Sequence, residues 1–270
     1  MNAHHRAWPR HLLLSAGSLT VLAPFAWMLL TSVKSRSEVF TTILPTSWHW
    51  ENYAQAWQAA PFTRYYINSI IMTVAIVAGH LLLDAMAAYA FARLDFPGKK
   101  TLFFVLLATM MVPTFVTIIP AFALITVLDW IDSYAALIVP RLADVFGIVL
   151  LRQYIATIPR ELEDAARIDG CTRFGVFVRI VLPLARPALA TLAVFSMLFA
   201  WNDFLWPLLV TNDDGMRTIQ VGLSVFQGRY GTSWHLLMAG TLTATAPTVL
   251  MFLIFQRSLI RGLTAGGVKE

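Results

Sequence analysis

Six long apolar stretches alternate with polar ones along the chain. Between His11 and Lys34 there is no charge. Between Arg64 and Arg93 only His80 and Asp84 interrupt the run, and Lys100 to Asp129 is again free of charge. The fourth stretch, Asp132 to Arg152, carries Arg141 and Asp144. Arg186 to Asp213 contains only Asp203, and Arg229 to Arg257 only His235. Each is long enough to cross a hydrocarbon core, which takes roughly 20 helical residues. The hydrophobicity is continuous and lacks strict alternation, so the spans read as helices and not as strands of a barrel. The pattern predicts an all-α membrane protein with six transmembrane helices.

Composition agrees. Hydrophobic residues make up 58% and charged residues 13% of the 270 positions, where soluble chains carry roughly 45–50% and 25%. Mean hydropathy is +0.67. This excludes an ordinary cytosolic enzyme, a disordered chain and a disulfide-stapled secreted module; Cys171 has no cysteine to pair with. The net charge of +5 reports topology before it reports nucleic acid. On alternate sides of the six spans, 14 Lys and Arg fall on one face and 5 on the other, with Arg141 inside a span. The richer side is cytoplasmic by the positive-inside tendency, which places the chain in the cell membrane with both termini cytoplasmic. The first span is longer than a signal core and no small-x-small site follows it, so it reads as a retained anchor.

The loops are unequal. Outside, residues 32–64 hold Trp48, Trp50, Tyr53 and Trp57, an interfacial belt or a docking surface. Inside, residues 152–186 are polar and contain a short helix of their own. Pro159 suits its first position, Glu161 and Glu163 complement its positive end, and Gly170 ends it. Leu162, Ala165 and Ala166 make a small apolar face. Such a face buries little in lipid but lets another protein approach closely. The chain divides as residues 1–64 (N-terminus, first span and external loop), 65–256 (transmembrane core) and 257–270 (tail).

After Gly170, nine residues lead to Ile180-Val181-Leu182-Pro183. This loop resembles the "EAA" loop of binding-protein-dependent ABC transporter permeases: Glu-Ala-Ala, three residues, Gly, nine residues, Ile-x-Leu-Pro. Ala165, Ala166, Gly170, Ile180, Leu182 and Pro183 match, and Asp164 stands where the pattern has glutamate. Trp201-Asn202-Asp203-Phe204-Leu205-Trp206-Pro207, Phe226-Gln227-Gly228-Arg229-Tyr230-Gly231, Asn52-Tyr53 and the tail Arg261–Lys269 are similar to the carbohydrate-importer branch, in particular to the smaller maltose-type subunit. The resemblance implies a type I importer permease with a cytoplasmic coupling helix. Asp164, Ala165, Ala166, Asp169 and Gly170 would then couple to the ATPase, and Trp201, Asn202 and Asp203 would border the translocation pathway. It also implies partners: a second, homologous permease, an ATPase dimer, an extracytoplasmic binding protein and a sugar-like solute. No nucleic acid is implied.

The chain offers no energy source of its own. Gly98-Lys99-Lys100-Thr101 lacks the upstream glycine of a phosphate loop, and paired-cysteine and His-Glu-x-x-His metal sites are absent from the sequence. The expectation is a non-catalytic subunit that binds no cofactor, with ATP and Mg on a partner. Two alternatives stand beside this. A proton-coupled carrier would use intramembrane charges, and His80 with Asp84, or Arg141 with Asp144, lie at helical spacing for pairing. A membrane alcohol-phosphotransferase could use Asp169-Gly170 near Arg173, but it needs an acidic cluster that is missing downstream.

Overall fold

The computed structural model describes residues 7–228 and 231–265, with side chains for 11–228 and 231–256. Arg229, Tyr230 and the end of the tail, residues 266–270, lie outside the described residues. In chain order the helices are α1 (Ala7–Ser32), α2 (Glu51–Gln58), α3 (Phe62–Gly79), a π turn (His80–Asp84), α4 (Ala85–Arg93), α5 (Lys99–Thr109), α6 (Thr114–Val127), α7 (Tyr134–Ile138) and α8 (Val145–Thr157). They continue with α9 (Arg160–Ile168), α10 (Arg173–Val176), a second π turn (Phe177–Val181), α11 (Leu182–Leu184), α12 (Arg186–Asn202), α13 (Leu205–Val210), α14 (Ile219–Gly222) and α15 (Trp234–Ala265). One small departure from an all-helical chain is a two-stranded hairpin pairing Gln227 with Thr232.

Three helical runs are long and apolar enough to cross a membrane unbroken: His11–Ser32, Phe62–Arg93 and Trp234–Gln256. The other three expected spans are bent pairs. Lys99–Thr109 meets Thr114–Val127 at 98°, Tyr134–Arg141 meets Val145–Thr157 at 40°, and Arg173–Leu184 meets Arg186–Asn202 at 78°. The third span is therefore not one helix, and proline explains why. Pro113 disfavours helical backbone at Val112 and stands at the cap of α6 with ψ 134°. Pro120 lies inside α6 without breaking it. The fifth span also differs from expectation: its continuous helix stops at Asn202, short of Asp213, and is preceded by helix where a polar loop was expected.

The chain forms two compact units. The first holds residues 1–63 and 222–246. Here α1 is exposed along most of its length, as suits a helix whose solvent is hydrocarbon. Its end is fixed by Asn52, whose side-chain amide donates to the Ser32 and Lys34 carbonyls at 2.9 and 2.8 Å. Trp48 and Trp50 stack at 6.0 Å and are both exposed. Glu38 accepts from Thr46 and Ser35, and these bonds, that from Thr46 first, hold its carboxyl at about 2 instead of 4.5. A lowered folded value stabilises the loop above about pH 4.5, and that contribution fades as pH falls towards 2. Hydrogen exchange of the peptide spanning residues 35–46, taken relative to its intrinsic rate at each pH, should rise over that window in the wild type. In Glu38→Gln it should start high and stay flat.

The second unit holds residues 64–221 and 247–270. Its core joins Ala85, Ala88 and Tyr89 of α4 to Leu151 and Ile155 of α8, with Ala166, Val176, Phe177, Val181 and Leu192. Small residues on α4 let α8 approach closely, and these two helices carry the elements described next.

Candidate functional site

The loop helix is α9. Pro159 sits at its N-cap with ψ 133°, one position earlier than the sequence suggested, and the helix starts at Arg160. Its end is a Schellman motif: the Gly170 amide donates to the Arg167 carbonyl at 3.0 Å and the Cys171 amide to the Ala166 carbonyl at 2.9 Å. Gly170 has φ +86°, a left-handed conformation that glycine adopts without steric cost. Ala166 and Cys171 then pack on the core, the apolar contact that accompanies this cap.

The faces of α9 differ from expectation. Ala166 is 8% exposed and packs against this subunit's own core, and Glu163 is buried as well. Asp164, Ala165 and Asp169 are exposed, together with Leu162 and Ile168, the latter 87% exposed. The exposed apolar surface of α9 is therefore Leu162-Ala165-Ile168 flanked by Asp164 and Asp169, and not the Leu162-Ala165-Ala166 face. Beside it lies a polar cavity of about 220 Å³ bordered by Arg160, Arg167 and Arg173. Ile180 and Leu182 pack on the core cluster, and Pro183 stands just before the 78° bend. All three motif residues are partly buried.

Arg93, not singled out in the sequence, ends α4. Its Nε lies 2.7 Å from Glu163 Oε1, with both side chains about 95% buried (5% and 4% exposed). The Arg93 Nη2 donates to the Ile155 carbonyl at 2.7 Å and to that of Ile158, while the Tyr89 hydroxyl donates to Glu163 Oε2 at 3.4 Å. Removing one partner of such a buried pair typically costs about 3–5 kcal/mol. The exposed Asp164–Arg167 pair, at 3.5 Å, contributes little. An Arg at a helix end followed by small-residue packing is an ordinary surface pattern, so nothing in the sequence marked Arg93.

Deeper in the unit, the expected pairs do not form; their members cross over. The His80 Nε2 donates to the Arg141 carbonyl at 2.8 Å, and Nδ1 accepts from Ser196 Oγ at 2.7 Å in the neutral ring. Asp84 Oδ1 accepts from the Asp144 amide at 3.0 Å. The π turn thus supplies partners for backbone groups freed where the fourth span breaks, which a break at membrane depth requires. A Cβ on Gly147 would lie 2.2 Å from Asp84 Oδ2. Arg141 itself reaches Asp203, Nη2 to Oδ2 at 2.8 Å, and its guanidinium sits 6.0 Å from the Trp206 ring. Asp203 also accepts from the Trp206 amide at 3.4 Å. Asn202 is exposed and bonds Gln220 at 3.4 Å. Trp201 is 3% exposed with its ring edge-on to Tyr66, so it packs within the unit.

Residues 84–264 match the model of the family described as binding-protein-dependent transport system inner membrane component. The chain belongs to that family. It is 35% identical over 255 residues to the probable ABC transporter permease protein YurM of Bacillus subtilis (strain 168), covering 93% of this chain and 85% of the relative. It is 36% identical to the arabinooligosaccharides transport system permease protein AraQ of the same organism, covering 93% and 92%. It is 34% identical to the sn-glycerol-3-phosphate transport system permease protein UgpE of Pectobacterium atrosepticum, covering 94% of each. A crystal structure of a bacterial ABC transporter that imports alginate contains a chain with the same fold, at a TM-score of 0.84 and 22% identity, covering 95% of this chain and 98% of that one. The chain is thus an ABC-importer permease of the carbohydrate-importer branch, a multi-pass membrane protein.

Proposed function

We propose that this permease works with a second, homologous permease, two ATPase subunits and an extracytoplasmic binding protein to import a di- or oligosaccharide, or a related polyol or glycerol-phosphate compound. Relatives named for arabinooligosaccharide and glycerol-3-phosphate transport support the solute class. Both termini lie in the cytoplasm, as the 14-to-5 distribution of Lys and Arg supports. ATP and Mg bind the ATPase, and this chain converts its closure into movement of helices. Gly98, the one near-match to a phosphate loop, caps α5, and Lys99 is turned to the Leu94 carbonyl at 2.6 Å.

The observation that carries the reading is α9. It is a cytoplasmic helix capped at Gly170, whose outer face is apolar at Leu162, Ala165 and Ile168 and whose inner face is tied to the transmembrane core. Docked on the ATPase by that outer face, it moves when the nucleotide-bound dimer closes, and the bundle opens outward to receive solute. Hydrolysis returns the inward-facing state. Exposed Asn202 and the Arg141–Asp203 pair border the path.

Uptake by the complex reconstituted in liposomes, tested against a panel of these solutes, should be ATP-dependent and selective for one class. Cysteine labelling at Gln58 from outside and at Arg173 from inside only should accompany it. ATP-independent uptake driven by a proton gradient would replace this reading with the carrier.

A further inference from the structure

We infer that Arg93 is the positioning residue that makes α9 a rigid lever instead of a hinged flap. The inference rests on the proposed docking of α9 to an ATPase. Only Ile158 and Pro159 separate α8 from α9, and both are extended, with ψ 130° and 133°. An extended two-residue link is a natural pivot. Arg93 closes it from both sides. Its Nη2 holds the carbonyls of Ile155 and Ile158 at the end of α8, and its Nε holds Glu163 in the first turn of α9. One planar guanidinium so ties the ends of α4 and α8 to the start of α9, with its charge paired to Glu163 away from water. A swing of α9 about Pro159 would have to pull Glu163 out of a site where it is 3% exposed.

The strap also gives the motion a route. Arg93 is the last residue of α4, which runs back without a break into the π turn at His80–Asp84. That turn holds the Arg141 carbonyl and the Asp144 amide, on either side of the break from which Arg141 reaches Asp203. Displacement of α9 is thereby handed to the path-lining ion pair through named contacts. A lax joint at Pro159 would dissipate it.

The test uses the full complex in liposomes, with solute uptake and ATP hydrolysis measured together. In Arg93→Met the solute moved per ATP should fall by about tenfold or more, because removing one member of a buried pair frees the other. Hydrolysis itself should continue. Arg93→Lys, which keeps the Glu163 contact and one carbonyl bond, should recover most of the ratio. The double variant Arg93→Met, Glu163→Met refills the site with apolar groups and should restore abundance and thermal stability, yet the ratio should stay low because the carbonyl straps are gone. A purely structural pair predicts that the double variant restores both. Spin labels at the exposed Gln153 and Glu161 give a reading independent of solute: one narrow distance in the wild type and a broad one in both Met variants. A wild-type ratio, or an unchanged distance distribution, in the well-inserted double variant overturns the lever. Absence of ATP-dependent uptake by the wild-type complex overturns the importer reading instead, and the label distances still decide the lever.

Discussion

Replacing Ala165 by tryptophan should abolish solute uptake while leaving the subunit inserted at wild-type abundance. Ala165 is exposed on α9 between Leu162 and Ile168, so an indole there meets nothing in its own chain and clashes only with a closely packed partner. Ala166→Trp, one residue along, should behave differently. That side chain is buried against the core, and overpacking of this kind costs about 1–3 kcal/mol or more, so the subunit itself should be depleted. Gly170→Val should resemble Ala165→Trp in phenotype for another reason. A β-branched side chain in left-handed backbone costs about 1–2 kcal/mol, and the Cβ would otherwise stand in open space, so the end of α9 shifts while the core stays intact. Co-purification of the ATPase with each variant, beside uptake, reads these out. If α9 rested on lipid, an added indole would strengthen interfacial binding; normal uptake by Ala165→Trp would thus show that the outer face has no protein partner.

The second large effect is expected at Gly147, where α8 crosses the π turn. Even alanine there would place its Cβ 2.2 Å from Asp84 Oδ2 and 3.0 Å from Leu192 Cδ1. Asp84 cannot simply swing aside, because its other oxygen holds the Asp144 amide. Gly147→Ala should therefore cost about 1–3 kcal/mol, and Asp84→Ala about 1 kcal/mol by leaving the part-buried Asp144 amide without its partner. The double variant has room for the new methyl, so its cost should fall short of the sum by roughly 1 kcal/mol, within the range seen for residues in contact. Unfolding of the purified subunit in graded denaturant measures all three. Strict additivity would mean that the close approach of Gly147 to Asp84 does not constrain the packing.

Hydropathy made the six spans legible because hydrocarbon imposes one rule on every residue of a span. It could not show that three of them bend, since a bent apolar run and a straight one have the same composition. One break has a local cause in Pro113, which stands at the cap of α6. The break at residues 141–144 carried no such mark, because its stability lies in His80 and Asp84, some 60 positions away. The loop helix was legible from Pro159 to Gly170 because caps are local chemistry. Which way Ala165 and Ala166 face was not, since that depends on Glu163 being drawn inward by Arg93. The intramembrane charges at helical spacing invited local pairing. Their partners lie on other helices, and spacing along one helix holds no information about that.

The Arg141–Asp203 pair bears on how this chain changes over generations. The two residues are 62 positions apart yet share one ion pair, so a mutation at either leaves the other a half-buried, uncompensated charge. Loss of one partner therefore favours loss of the other. His80 is bound differently, through the carbonyl of residue 141, which every amino acid supplies. The lineage is thus free to rewrite the side chain at 141, provided 203 follows, without disturbing the joint beneath it. The side-chain ion pair and the joint of the broken helix can in this way change separately, although they meet at a single residue.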